Sequence, residues 1–126
     1  MLSEKDYRWN RFIQEVCFRD IESLSNIQKK AVLCFWYDAE MNSGGHSGYF
    51  DCYPNTVPEE LINAIDTIMQ TDVISRNYIE AIEKGESDCY VKTDMTYNKF
   101  RPSLSDLLME YVEMNKGEIF GEQVYE

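Results

Sequence analysis

The sequence predicts an all-α fold, a compact single-domain bundle spanning residues 1–126 with about five main helices plus short helical segments. Apolar residues recur at spacings of three and four along most of the chain, which is the period of a helix with one buried face. Serine and threonine stand at capping positions before several of these segments, and glycine follows others. The chain has 126 residues, of which 44% are hydrophobic, so it can bury one core and is too apolar to be disordered.

The first predicted helix runs from about Glu4 to Ile21. Its apolar positions form one broad face, made of Trp9, Phe12, Ile13, Val16 and Cys17. Ser25 followed by Gln28 has the spacing of a capping box, so we expect a second helix to begin there. From Ala31 to Tyr37 this helix is apolar all round, which predicts that it is the central and most buried element.

The second helix is predicted to end between Asn42 and Gly45. Glycine adopts the left-handed conformation without a Cβ clash, so it can close the last carbonyls of a helix. A short helical segment through Tyr49 and Phe50 is expected next, ending before Pro54.

Thr56 and Glu59 have the spacing of another capping box, with Pro58 in the first turn, and predict a helix to about Gln70. Its expected buried residues are Leu61, Ile62, Ile65 and either Ile68 or Met69. A further helix from Asp72 to Lys84 is expected to stop at Gly85. Its aligned apolar residues are Ile74, Tyr78, Ala81 and Ile82.

Between residues 86 and 101 the pattern is weaker. We expect a brief extended piece at Tyr90-Val91 and a short helix from Asp94 to Phe100. Ser103 is expected to cap a last long helix that ends near Asn115. The apolar face of that helix consists of Leu104, Leu107, Leu108, Tyr111 and Val112. Beyond it, Ile119 and Phe120 are predicted to fold back onto the core.

Charge is the most unusual feature of the composition. The chain has 12 basic and 23 acidic residues, which gives a net charge of −11. Residues 1–43 contain six basic and seven acidic side chains, whereas residues 44–126 contain six basic and sixteen acidic ones. Proteins that bind nucleic acid need the opposite sign. Direct binding to DNA, RNA or anionic lipid is therefore disfavoured, and a basic protein partner is permitted.

The four cysteines, Cys17, Cys34, Cys52 and Cys89, form no C-x-x-C pair. We expect them to be reduced, with Cys17 and Cys34 packed as small core residues. His46 is the only histidine, so we expect neither a metal nor a cofactor. No apolar run reaches the ~18 residues of a membrane span, and the N-terminus lacks a signal-type apolar core, which predicts a cytoplasmic protein.

The segment from Glu40 to Phe50 reads EMNSGGHSGYF. It resembles the E-x-N-N-G-G-F-x-Q-Y-F signature of a bacterial domain family named for a DNA-mimic protein, from which it departs at Ser43, His46 and Gly48. The likeness continues in the helix start at residues 58–61 and in residues 108–115. The family fold is largely helical, and the resemblance implies imitation of DNA by a folded acidic surface.

Six residues of this segment match the signature, and we expect them to be structural rather than catalytic: Glu40, Asn42, Gly44, Gly45, Tyr49 and Phe50. We expect Glu40 or Asn42 to accept backbone donors at the corner between two helices. His46 is expected to be a partly exposed corner residue. The alternative is a small hydrolase or metal enzyme that uses Asp38, Glu40 and His46.

Acidic residues on the outer faces of the predicted helices are the candidate partner-binding site. The set is Glu59, Glu60, Asp66, Glu80, Glu83, Asp106, Glu110 and Glu113. The simpler interpretation is that these faces only keep a helical protein soluble.

The size of the net charge limits the length of DNA that one chain can imitate. Duplex DNA carries about one charge per 1.7 Å of axis, so the net charge of −11 corresponds to roughly 19 Å of duplex. A domain this size is roughly 35 Å across, so one chain imitates about half a turn and a homodimer would be the better mimic. The charge predicts a non-enzymatic acidic interaction protein, and the resemblance implies that it is a DNA mimic that binds the basic surface of a DNA-binding protein. A toxin-immunity-type binding protein is the alternative binding role.

Overall fold

The computed structural model describes residues 3–121, and its helices account for most of that range. The α-helices are α1 (Glu4–Arg11), α2 (Asn26–Met41), α3 (Gly45–Cys52), α4 (Pro58–Met69), α5 (Val73–Lys84), α6 (Val91–Tyr97), α7 (Leu104–Met114) and α8 (Lys116–Ile119). A π-helical turn, Phe12–Val16, continues α1, and 3₁₀ turns span Ile21–Ser23 and Gly85–Asp88. No residue from 3 to 121 lies in a strand, so the all-α prediction is confirmed.

The core is one continuous hydrophobic cluster that surrounds α2. This helix packs against α3, α4, α7 and α8. Ala31, Val32, Cys34 and Tyr37 are all at most 2% exposed, so α2 is the central element, as predicted. Its capping box also forms, because the Ser25 side chain accepts the Gln28 backbone N–H while the Gln28 side chain accepts the Ser25 N–H.

The first predicted helix is shorter than expected. The regular α-helix ends at Arg11, and the chain then widens into a π-turn in which the Cys17 N–H donates to the Phe12 carbonyl. This turn keeps Phe12 and Val16 fully buried but leaves Phe18 70% exposed beside Trp36. The prediction that one helix reaches Ile21 is therefore wrong, because the periodicity of apolar residues does not register a change of helix type.

The predicted capping box at Thr56 does not form. Val57 occupies the N-cap of α4 without a side-chain hydrogen bond, and Pro58 takes the first helical position. The Thr56 hydroxyl instead lies 3.1 Å from the Tyr49 hydroxyl on α3. A tertiary contact thus replaces the local cap, which sequence spacing alone does not reveal. Apart from Ile62, which is only partly buried, the expected core face of α4 is buried: Leu61, Ile65, Ile68 and Met69.

Two further expectations fail between α5 and α7. Ile82 is 46% exposed rather than aligned with the buried residues of α5. Tyr90 is not extended but left-handed, with φ of 66°, and its ring covers Gly85, where a Cβ would overlap the ring. The short helix of this region is α6, which begins three residues before the predicted Asp94.

The C-terminal part follows the prediction. Ser103 caps α7 through a capping box with Asp106, and Leu104, Leu108 and Val112 are buried. Ile119 and Phe120 then fold back onto the core and are 0% and 8% exposed. The Gln28 side-chain amide holds this C-terminal segment against the core, because it donates to the Ile119 carbonyl at 2.7 Å.

All four cysteines are free thiols, and Cys17 and Cys34 are buried, as predicted for small core residues. Cys52 and Cys89 are exposed. Among residues 3–121, no helix has the length and hydropathy needed to cross a membrane.

The capping box of α2 generates a stability prediction. Replacing Ser25 with alanine should lower the free energy of unfolding by about 1 kcal/mol, because the Gln28 N–H at the start of α2 loses its acceptor. Urea unfolding followed by circular dichroism measures the difference. Ser43→Ala is the matched control, since Ser43 is exposed after α2, and it should change stability by less than about 0.5 kcal/mol. Equal losses for the two variants would contradict the assigned role of Ser25.

Candidate functional site

The corner between α2 and α3 contains the six residues that match the signature. Gly45 has φ of 67°, a conformation that L side chains rarely adopt, and a Cβ there would lie 2.8 Å from Cγ of Asp94. Gly44 and Gly48 approach each other closely, since a Cβ on Gly44 would lie 3.1 Å from the Cα of Gly48. Glycine is therefore required at the first position of α3 for two independent reasons, conformation and space.

The polar residues of the corner act differently from the expectation. Asn42 donates rather than accepts, from its side-chain amide to the Asp38 carbonyl at 2.9 Å. The Glu40 carboxylate lies over the α3 start, where a Cβ at Gly48 would approach its Oε1 to 3.0 Å. Tyr49 is buried and Phe50 is partly buried against the core. These positions are consistent with a structural role for the segment.

His46 is the centre of the corner and is fully buried. Its Nδ1 lies 2.7 Å from Asp94 Oδ1, and its Nε2 lies 2.7 Å from the Tyr37 hydroxyl. Because a carboxylate can only accept, the neutral imidazole donates from Nδ1 to Asp94 and accepts at Nε2 from Tyr37. The backbone N–H of His46 also donates to Asp94, at 3.0 Å. One side chain thus links α2, α3 and α6.

The expectation of a partly exposed His46 is therefore wrong. Both hydrogen-bonding partners of its ring were missed, because Asp94 lies 48 residues further along the chain and Tyr37 gives only an apolar signal in α2. Burial lowers the pKa of His46 below its ordinary value of 6.5, although the Asp94 carboxylate opposes this shift.

Tyr37 lies at the middle of a tyrosine cluster. Its ring makes edge contacts with Tyr49, Tyr78 and Tyr97 at centroid distances of 5.1, 5.4 and 5.6 Å. Burial raises the pKa of the Tyr37 hydroxyl, so it remains protonated and available as a donor to His46. Edge-to-face pairs of this kind add to the stabilisation that burial alone provides.

Asp38 takes part in a second link between α2 and α6. It accepts from the Tyr97 hydroxyl at 2.6 Å. Burial raises the pKa of Asp38, while hydrogen bonds from Tyr97 and Asn42 oppose the shift. The three residues of the enzyme alternative thus have separate surroundings: Asp38 bonds to Tyr97, Glu40 lies over Gly48, and His46 is sealed inside the core.

No group of three or more metal-ligating side chains that could hold an ion occurs within residues 3–121. A buried imidazole cannot reach a substrate unless the corner opens, so the geometry offers no accessible general base at His46.

The acidic candidate residues fall into two groups. Three of them have basic partners from other segments of the chain: Glu60 pairs with Lys29 at 3.0 Å, Glu110 with Lys5 at 2.7 Å, and Glu113 with Arg8. Basic residues of α1 therefore neutralise two of the acidic residues of α7, Glu110 and Glu113. Hydrogen bonding to Arg8 lowers the pKa of Glu113 accordingly.

The other five carboxylates have no ion pair with any residue from 3 to 121. These are Glu59, Asp66, Glu80, Glu83 and Asp106. Asp106 completes the cap of α7 through Ser103. Asp66 accepts from the Ser75 hydroxyl at 2.5 Å, which joins α4 to α5. Four of the five lie on these two packed helices, which we call the α4–α5 surface: Glu59, Asp66, Glu80 and Glu83.

The buried histidine generates a pH prediction. The folded pKa of His46 is depressed, so below about pH 6.5 the unfolded chain binds a proton that the folded protein does not. The free energy of unfolding should therefore fall as the pH drops from 7 to about 5.5, by at most about 1.4 kcal/mol per unit of the pKa difference. His46→Phe should show a flatter dependence in chemical denaturation across this range. The opposite contribution from Asp38, whose folded pKa is raised, is present in both proteins and cancels in the comparison. Parallel pH profiles for the two proteins would refute the assignment.

Gly45 generates a second stability prediction. Gly45→Ala should cost about 3 kcal/mol or more, because the new Cβ meets both a left-handed backbone and the Asp94 carboxylate. Gly121→Ala is the matched control, since Gly121 has φ of 64° but nothing within 4 Å of its Cβ position. The control should cost only about 1–2 kcal/mol in urea unfolding, the cost of the left-handed backbone alone. If the two substitutions cost the same, the contact with Asp94 is not what restricts position 45.

Comparison with known proteins gives a match to a protein family. A family model described as DMP19-like protein matches residues 22–120, which include the corner and the α4–α5 surface. No curated protein matches the chain, and no solved structure does.

Proposed function

The chain belongs to the DMP19-like protein family, and we propose that it is a non-enzymatic DNA mimic that binds the basic, DNA-contacting surface of a DNA-binding protein. The observation that carries the proposal is the α4–α5 surface, on which carboxylates without ion pairs extend from a buried scaffold. Family membership supports the same role, because the family is that of a DNA mimic protein.

The charge of this region supports the proposal. Residues 58–88 contain eight acidic and two basic side chains, a net charge of −6 out of the −11 of the whole chain. One of the two basic residues, Arg76, is already paired with Asp72 at 2.9 Å. Six excess charges correspond to roughly 10 Å of duplex axis at one charge per about 1.7 Å. Two copies of the surface, in the homodimer that the charge arithmetic favours, would double that length.

A DNA mimic also has to hold its charges in place, because carboxylates on a flexible chain repel one another and move apart. On α4 three of the residues between Glu59 and Asp66 anchor the helix in the core, with Leu61, Ala64 and Ile65 all at 0% exposure. On α5, Ile74 and Tyr78 are buried in the same core. The hydrogen bond from Ser75 to Asp66 further ties the two helices. A fixed array of this kind avoids the ordering cost that a disordered acidic segment would incur on binding.

The paired carboxylates are expected to contribute less. Lys5, Arg8 and Lys29 already lie beside Glu110, Glu113 and Glu60, so a partner would have to displace a cation to use these groups. Substituting a carboxylate without an ion pair should therefore weaken partner binding more than substituting a paired one.

The first test of the proposal is capture of the partner. The immobilised protein should retain a basic DNA-binding protein from a bacterial lysate at low salt and release it at high salt, because exposed charges separated by more than ~10 Å are screened at 0.1 M ionic strength. Duplex DNA should displace the captured protein, since both ligands use one surface. Failure to retain any basic protein at low salt, or retention that DNA does not affect, would count against the proposal.

The second test compares two double variants with equal charge changes. Glu59→Gln with Glu83→Gln should weaken binding to the captured protein by roughly tenfold at low salt, because two unpaired charges are lost from the interface. Glu15→Gln with Glu110→Gln removes two carboxylates that are paired with Arg11 and Lys5, and should weaken binding less than about twofold. Isothermal titration calorimetry measures both. Equal losses would show that net charge, rather than the α4–α5 surface, governs binding.

A further inference from the structure

A row of aromatic side chains lies at the surface on one side of α2. Phe18 contacts Trp36 at a centroid distance of 5.4 Å, and Trp36 contacts Tyr53 at 6.1 Å. Phe18 is 70% exposed, and Val57 beyond Tyr53 is 48% exposed. A soluble protein that leaves several large apolar side chains together at its surface has an apolar area available for a partner.

Three of these residues, Trp36, Tyr53 and Val57, line a concave surface. A depression of about 470 Å³ lies between α2, the end of α3 and the start of α4, with Leu33, Trp36, Tyr53 and Val57 in its lining. A second depression of about 420 Å³ continues it along α2 and α4 and shares Lys29, Leu33 and Glu60 with it. We call the two together the α2–α4 groove. The apolar side chains of the groove lie in the larger depression, which has room for a side chain from another protein, whereas the second depression is lined mainly by polar and charged residues.

The charges beside the groove indicate what kind of segment fits it. The α4 wall carries Glu59 and Glu60, and this helix has no basic residue. On the opposite wall Lys29 is held by Glu60 at 3.0 Å, which leaves Lys30 as the opposing cation, and Glu22 adds a carboxylate at the far end. Glu59 belongs both to this groove and to the α4–α5 surface. The groove is thus an apolar slot beside an acidic wall, and it is continuous with the surface proposed to bind the basic partner.

We propose that the α2–α4 groove receives one large apolar side chain from the basic partner, carried by a segment whose flanking lysine or arginine residues face Glu59 and Glu22. This inference rests on the proposed function, because it assigns a second contact to the same partner. Charge on α4 attracts many basic proteins, whereas the groove selects those that present an apolar residue between cations. Binding therefore has one component that salt screens and one that it does not.

The exposed cysteine in the groove allows a test on the folded protein. Cys52 lines the larger depression, and alkylation with N-ethylmaleimide would place an added group inside it. The buried thiols should not react, since burial raises the pKa of Cys17 to about 12 and also raises that of Cys34. Cys89→Ser leaves Cys52 as the one exposed thiol of the described residues, and Cys52→Ser leaves Cys89, which provides a matched control.

The probes are short synthetic peptides of lysine, arginine and serine with a central alanine, leucine or tryptophan. At high salt the leucine and tryptophan peptides should bind the unmodified protein about tenfold more tightly than the alanine peptide, as expected for burying one large apolar side chain. Alkylation of Cys52 should reduce that ratio to less than about twofold, while alkylation of Cys89 should leave it unchanged. Fluorescence anisotropy measures the affinities, and mass spectrometry confirms a single adduct.

The outcomes separate the two proposals. If all three peptides bind equally at low salt, the groove takes no apolar side chain and the acidic surface alone accounts for binding. If none binds at low salt, the proposed function fails together with the groove. A preference for leucine that survives Cys52 alkylation would place the apolar contact elsewhere. Conversion of a dimer to a monomer on Cys52 alkylation, seen by sedimentation, would assign the groove to a second copy of the chain and overturn the inference.

Discussion

The fold depends on a buried histidine, His46, whose ring is hydrogen-bonded to a tyrosine on one side and to an aspartate on the other. An uncompensated polar ring in the core would be costly, and His46 avoids this cost by bonding through both nitrogens to Tyr37 and Asp94. The backbone N–H of His46 uses the same carboxylate, which brings the start of α3 so close to α6 that only glycine fits at position 45. Within the described residues no buried side-chain polar atom lacks a hydrogen-bonding partner. The polar network therefore fixes how three helices meet, and Tyr37 transmits that arrangement to the tyrosine cluster around α2.

A fixed core determines what the surface can do. Like charges on neighbouring helical turns repel one another, so a dense row of carboxylates persists only where packing holds the backbone. On α4 and α5 this support comes from fully buried residues such as Leu61, Ile65 and Ile74. On α7 the support is different, because Lys5 and Arg8 of α1 neutralise Glu110 and Glu113 and at the same time attach α1 to the bundle. The paired acidic residues of α7 thus help to hold α1 in place, whereas the carboxylates of α4 and α5 without ion pairs are the ones proposed to meet a partner.

Local signals in the sequence predicted the helices well and the tertiary contacts poorly. The capping boxes at Ser25 and Ser103 depend on neighbours three residues away, and both form as predicted. Thr56 has the same local pattern, yet its hydroxyl meets Tyr49, because a partner on another helix outcompetes a backbone donor nearby. His46 was misjudged for the same reason: Asp94 is distant in sequence, and a lone histidine beside two glycines gives no indication of burial. The acidic residues were identifiable from composition, but which of them are paired depends on the contact between α1 and α7.

Charge alone cannot make a DNA mimic selective, since every acidic protein attracts basic ones at low salt. Selectivity requires a feature that only some partners can match. In the proposed function, the carboxylates of the α4–α5 surface supply one such feature, because they are carried by two packed helices and a partner meets them without reordering the chain. The α2–α4 groove beside Trp36 is the second such feature in this proposal. Burying its aromatic side chains is favourable only for a partner that presents a large apolar side chain. Glu59 lines that groove and belongs to the α4–α5 surface. In the proposed complex, α4 therefore supplies the charges beside the groove, while the apolar lining comes from α2, the end of α3 and the segment that precedes α4.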